Sequence, residues 1–194
     1  MARVAIAMSG GVDSSVAAAL LKEQGHEVIG LHMKLYHGPE NEKRPKSCCS
    51  LDEAIGARTT CNSLDVPFYV LDYQKEFREL VIDYFVNEYS QGSTPNPCVT
   101  CNKKIKGDLL IKKVDELDCD YLATGHYARI SFNQETGRSQ LARPQDLRKD
   151  QTYFLHSIPA KELHRLMFPL ADIIKPEVRE IAGKMNLSAA NKPD

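Results

Sequence analysis

The stretch "AMSGGVDSSVAAALL", Ala7–Leu21, decides the fold. The apolar run "RVAIA" leads into it, and an Ala/Leu-rich amphipathic segment leaves it. Apolar run, small-residue turn and helix pattern together open an α/β unit. Gly10 and Gly11 allow unusual backbone angles and close approach of a ligand to the main chain. Ser9, Ser14 and Ser15 add hydroxyl donors, and the helix that starts near Asp13 brings its positive end to the same point. The result is a phosphate cradle. It is neither a Walker A loop, since no G-K-[ST] follows, nor G-x-G-x-x-G. An acidic Asp13 beside phosphates implies a bridging magnesium ion.

Outward from the loop, strand and helix patterns alternate. Strands are expected at Val4–Met8, Glu27–Met33, "VPFYVLD" and "DYLATG". Helices are expected at Ser14–Gln24, from the capping-box residue Ser50 to about Ser63, at Lys75–Tyr89, Val99–Glu116, Leu163–Leu166 and Pro176–Met185. Lys34–Lys46 reads as a polar loop, and "HYARISF" and "RSQLARP" flank a hairpin turn at "NQETG". The fold class is therefore α/β, a doubly wound parallel sheet with flanking helices. Residues 1–130 are expected to form this sheet domain, and 131–194 a hairpin and helical linking segment. Ligands of such sheets sit beyond the carboxyl ends of the strands, where the glycine loop, Met33 and Gly125-His126 converge.

The 194 residues carry a net charge of -1, which excludes a bulk nucleic-acid coat protein and leaves RNA contact to local basic patches. No run is long enough to span a membrane, and "MARVAIAM" is too short for a signal h-region, so a cytoplasmic location without membrane partners is expected. Six cysteines in that setting do not make a disulfide framework. Cys61 and Cys119 read as small buried hydrophobes, and Cys48-Cys49 receives no role.

The second motif is "GSTPNPCVTCNKKIK", Gly92–Lys106. Two prolines stiffen the approach to Cys98. Cys101 is expected near a helix N-terminus with Lys103, Lys104 and Lys106 behind it, and both features favour a thiolate. A zinc site needs a second pair, and Cys48-Cys49 has the wrong spacing. A reactive cysteine fits better. The lysines, with Arg143, Arg148 and Lys149 of "LARPQDLRKDQ", suit RNA phosphates or a solvated face.

"SGGVDSS" resembles the pyrophosphatase loop of the N-type ATP pyrophosphatases, which split ATP between its α and β phosphates and adenylate a carbonyl oxygen. With "TPNPCVTCNKKIK", "ATGHYA" and "KDQTYFL" added, the chain resembles the bacterial tRNA-specific 2-thiouridylase family from Arg3 to its last residue. The resemblance implies adenylation of the wobble uridine's C2 oxygen, then displacement of AMP by persulfide-derived sulfur to give 2-thiouridine. It implies ATP at Ala7, Met8, Ser9, Gly10, Gly11, Val12, Asp13 and Ser14, with Met33 and Gly125, and magnesium-pyrophosphate at Asp13. Cys101 becomes the nucleophile. Asn96, Pro97, Cys98, Lys103, His126, Lys149, Asp150 and Gln151 become tRNA contacts. A sulfur-relay protein or cysteine desulfurase becomes the donor.

Two departures matter. Many members have aspartate where Cys98 stands. The resulting Cys98-x-x-Cys101 pair suits persulfide chemistry, a disulfide, or a share in an iron–sulfur cluster. The family's second, persulfide-carrying cysteine follows "KPD", whereas this sequence ends at "NKPD". The chain thus corresponds to the N-terminal catalytic domain and the start of a linking region, the C-terminal domains being absent. ATP binding without efficient thiolation is expected unless that cysteine is supplied. Another adenylating enzyme of the superfamily, or a non-catalytic adenine-nucleotide-binding subunit, is the alternative.

Overall fold

The computed structural model describes residues 1–35 and 51–192. Strands β1 (Arg3–Ala7) and β2 (Glu27–Lys34) are almost wholly buried apolar runs, as central parallel strands covered on both faces must be. They pair with β3 (Phe68–Asp72) and β4 (Tyr121–Thr124) in one parallel sheet. β3 lies at an edge and leaves Tyr69 and Val70 exposed.

Helix α1 (Val12–Glu23) follows the glycine loop, and its Ala17, Ala18 and Ala19 are fully buried against the sheet. Helix α2 (Leu51–Ser63) precedes β3. The expected cap at Ser50, most of the Lys34–Lys46 loop and Cys48-Cys49 lie outside the described residues.

The two long helices, α3 (residues 74–90) and α4 (residues 97–116), each contain a widened turn with i→i+5 bonding. These turns run over Arg78–Ile82 and Asn102–Leu110. Nothing in the hydrophobic period marked them. The hairpin is present as antiparallel β5 (Arg129–Asn133) and β6 (Arg138–Ala142). A short helix, α5 (Thr152–Leu155), follows.

Leu163–Leu166 is not a helix of its own. A 3-10 turn, Ala160–Arg165, runs into the two-residue strand β7 (Leu166–Met167), which pairs with β4. Two residues carry no periodicity, so only pairing with β4 selects this strand. Helix α6 (Lys175–Lys184) buries Val178 and Ala182 in the same core as Val16 and Ala17 of α1. Residues beyond 130 are thereby built into the main sheet and its core.

The strand order is β3-β2-β1-β4-β7. The chain runs outward from β1 to β3, then returns across β1 to β4. That reversal opens a crevice beyond the carboxyl ends of β1 and β4. No helix among the described residues is long and apolar enough to cross a membrane.

Candidate functional site

A cavity of about 310 Å³ occupies that crevice. Ala7, Met8, Ser9, Asp13 and Ser14 line one rim, Met33 with His32 and Leu35 the end of β2, and Thr124, Gly125 and His126 the end of β4. Cys101 and Lys106 enter from α4, and Gln151 closes the mouth. The loop, Met33 and Gly125-His126 meet as the sequence pattern required.

The loop is held by its own small side chains. Ser9 N–H donates to Ser14 Oγ at 3.2 Å, and Ser14 and Ser15 hydroxyls donate to the Gly11 carbonyl at 3.2 and 2.9 Å. Gly10 has φ +79°, and a Cβ there would collide with the Glu53 backbone carbonyl of α2. A Cβ on Gly125 would lie 2.6 Å from Ser14 N, so only glycine lets β4 end this close to α1. Ser15 does not serve the crevice. It is fully buried, with its hydroxyl 3.2 Å from Thr60 Oγ1. Val12 is likewise a core side chain, leaving only its main chain near the loop.

Asp13, in the first turn of α1, accepts from the Tyr127 hydroxyl at 2.9 Å and from Lys175 Nζ at 2.7 and 2.8 Å. Lys175 is the buried first residue of α6, and its own N–H donates to Asp146 Oδ2 at 2.9 Å. That bond, then the Arg148 and Lys149 N–H groups, hold the Asp146 carboxyl below its usual range against the opposing pull of burial. Lys192 Nζ donates to the Gly10 carbonyl at 3.0 Å. Asp13 is the one carboxylate among the described residues that line the cavity. Magnesium takes one or two carboxylates together with phosphate oxygens, so the donor set fits once Lys175 yields.

On the opposite rim, Asn96 caps α4, its Oδ1 accepting from Cys98 N at 3.0 Å and Val99 N at 3.4 Å, with Pro97 at the first helical position. Cys98 therefore sits in the first turn. Cys101 sits at the start of the second turn, near the N-terminus but where the helix dipole has largely decayed. The local cation is Lys106. An i→i+5 helix brings residues 101 and 106 to one face, and both line the cavity. Lys106 Nζ donates to His126 Nε2 at 3.4 Å, while His126 Nδ1 lies 2.6 Å from Thr124 Oγ1. Burial first, and the Lys106 charge second, hold His126 well below 6.5, so it is neutral near pH 7 and offers no charge to a phosphate.

The remaining sequence-expected contacts divide. Lys103 is half-buried, and Lys104 pairs with Asp108 at 3.8 Å on the helix surface. Asp150 accepts from Thr152 N–H and Oγ1 at 3.0 and 2.7 Å and from Arg143 Nε at 2.7 Å. Burial alone would raise its pKa, but those donors bring it below the ordinary value. Asp150 is thus an internal acceptor that starts α5. Gln151 Oε1 accepts from Tyr127 N at 2.9 Å beside the cavity, and Lys149 is half-buried next to this turn.

Cys61 and Cys119 are buried, Cys98 is exposed and Cys101 is half-buried. Burial pushes the Cys61 thiol up to about 11, in keeping with its reading as a core residue. Among the described residues no group of three or more His, Cys, Asp or Glu could hold a metal ion, which leaves the iron–sulfur reading without support. Lys175, Tyr127 and Asp146 carried no local sequence signal. The one clue was a loop that lacked its own lysine.

A reversing parallel sheet, with an anion-cradling loop and a helix N-terminus under the reversal, defines the doubly wound α/β class. Within it, the chain belongs to the family described as tRNA methyl transferase HUP domain, matched over residues 2–194. It is 48% identical over 192 residues to the tRNA-specific 2-thiouridylase MnmA of Clostridioides difficile, covering 99% of this chain and 53% of that protein. It is 50% identical over 195 residues to the tRNA-specific 2-thiouridylase MnmA of Geobacter metallireducens, covering 98% and 52%. The chain spans about half the length of the curated relatives it matches. Its fold is shared with NMN synthetase from Francisella tularensis (TM-score 0.57, 16% identity, 99% of this chain and 66% of that one). It is also shared with glutamine-dependent NAD+ synthetase from Acinetobacter baumannii (TM-score 0.59, 13% identity, 98% and 32%).

Proposed function

We propose that the chain is the ATP-using catalytic part of a tRNA 2-thiouridylase. It adenylates the C2 oxygen of the wobble uridine and passes sulfur to C2 through Cys101. The observation that supports this most is a single cavity lined both by the phosphate-cradling loop and by Cys101. An enzyme that only formed amides would need no thiol there.

ATP lies with its phosphates on the Ser9–Ser14 loop and its adenine toward Met33. The α1 N-terminus and the loop N–H groups stabilise negative charge on the phosphates. Magnesium, when bound at Asp13, offsets phosphate charge. The uridine, unstacked in its anticodon loop, enters between Cys98 and His126 at modest cost. Its C2 oxygen bonds to the α-phosphorus and pyrophosphate leaves. The terminal sulfur of a Cys101 persulfide then bonds to C2, the C2–O bond breaks and the oxygen departs on AMP. A second thiol cleaves the remaining S–S bond, giving 2-thiouridine and a protein disulfide that an external thiol reduces. Cys98, exposed one turn before Cys101, is placed to be that thiol. A sulfur-relay protein or cysteine desulfurase loads the persulfide.

The test is incubation of the chain with Mg-ATP, unmodified tRNA and a persulfide donor, with AMP and 2-thiouridine quantified. Both products are expected from the wild type if Cys98 takes the place of the family's second cysteine, and AMP without efficient thiolation if it does not. Cys101→Ser should keep ATP binding and lose 2-thiouridine. ATP binding with neither product in the wild type would favour a nucleotide-binding subunit instead.

A further inference from the structure

We infer that Lys175 is the phosphate-binding lysine of this site, supplied from α6 and held on Asp13 until a pyrophosphate group arrives. The inference rests on the nucleotide reading above and deepens it. The glycine loop contains no lysine, yet Lys175 lies within hydrogen-bond reach of its Asp13. Lys175 reaches both oxygens of Asp13 at 2.7 and 2.8 Å, and Asp13 itself lines the cavity.

The placement is built. Lys175 is 8% exposed, and a cation so enclosed requires a partner. Its backbone is pinned by Asp146, and a four-carbon stem of rotatable bonds separates that anchor from Nζ. Tyr127 donates a hydroxyl to the same Asp13 oxygen, so the carboxylate retains a partner if the lysine swings away.

The charges make the exchange favourable. A polyphosphate entering the loop meets the Asp13 carboxylate at the α1 N-terminus and is repelled by it. Moving Nζ from Asp13 to a phosphate oxygen gains a charge-assisted hydrogen bond there, and the divalent cation that accompanies the nucleotide then offsets the Asp13 charge. Among the described residues of the rim, His126 is neutral and Lys106 is engaged with it, so neither replaces Lys175. Lys192 bonds the back of the loop at the Gly10 carbonyl and braces it.

Calorimetric titration of the 194-residue chain with ATP, AMP and inorganic pyrophosphate tests this. Lys175→Met should weaken ATP and pyrophosphate about tenfold or more and leave AMP unchanged. Lys175→Arg should restore most of the loss. A folded Lys175→Met protein with the wild-type ratio of ATP to AMP affinity overturns the inference and marks the pair as a structural clamp. Should that variant not fold because the half-buried Asp13 has lost its counter-ion, Asp13→Asn with Lys175→Met removes both charges. In magnesium-free buffer, Asp13→Asn alone should bind pyrophosphate more tightly than the wild type, and the double variant should lose that gain. Equal binding by these two overturns the inference. A wild-type chain that binds no ATP overturns the proposed function and this inference together.

Discussion

The two rims of the cavity are built differently. On the loop rim, Ser14 and Ser15 are buried, their hydroxyls are bonded to Gly11, and the whole rests on the extensive core of β1, α1 and α6. On the sulfur rim, Pro97 and Cys98 are exposed, and α4 is backed near Cys101 by the small buried group Leu35, Val81 and Ile105. The contrast matches two tasks. A phosphate site works best when its donors are fixed beforehand. The proposed entry of a macromolecular strand and a sulfur donor on the other rim would need open surface and a reachable thiol, and Cys98 is exposed there.

The sharpest way to break the comparison is at Gly10. Gly10→Val combines a positive φ with a clash against Glu53, and should cost about 3 kcal/mol or more. A thermal melt should fall by roughly 10 °C with nucleotide binding lost. A tolerated valine would mean the loop is not rigid. Ile105→Ala on the other rim should cost about 2 kcal/mol, the low end for a core truncation, because its cluster is small. Hydrogen exchange should then accelerate in residues 97–116 while α1 stays protected.

Acid should separate the rims from the rest of the core. His32 and His126 are both held below 6.5, chiefly by burial; for His32 the Met8 carbonyl partly opposes the shift. Their folded-state values lie under the unfolded one, so the unfolded chain takes up protons first. Stability is therefore full above about pH 6.5 and declines as pH falls through it toward the folded values. Denaturant midpoints between pH 7.5 and 5.5 should show the decline, and His126→Gln should flatten it. Thiol labelling should sharpen the same picture: at pH 8, iodoacetamide should modify Cys98 well before the buried Cys61 and Cys119, as read by peptide mass spectrometry. The smallest effect is at Lys104. Lys104→Gln loses only an exposed i,i+4 pair with Asp108 and should change stability by less than about 0.5 kcal/mol.

What could be read from sequence was local. Gly10, Gly11 and Asp13 lie within four positions, so a single turn displays their purpose. Asn96-Pro97 likewise announces a helix start through capping and a fixed φ. β7 was invisible because its two residues acquire strand geometry only from β4. The widened turn of α4 was invisible because the apolar spacing of Ile105, Leu110 and Val114 also suits an ordinary helix, and only the packed structure shows Lys106 sharing a face with Cys101. Lys175 lay furthest out of reach, since its role exists only through contact with Asp13.

That contact spans 162 residues, and the one from Lys192 to Gly10 spans 182. At ribosomal speeds of about 5–20 residues per second, roughly 10–30 s separate the making of Asp13 from the arrival of its lysine. Strand β1 and its loop emerge early and must wait through that interval with an unanswered negative charge. The glycine loop is thus made well before the two lysines that complete it, and its ion pair is among the later contacts of the fold to close.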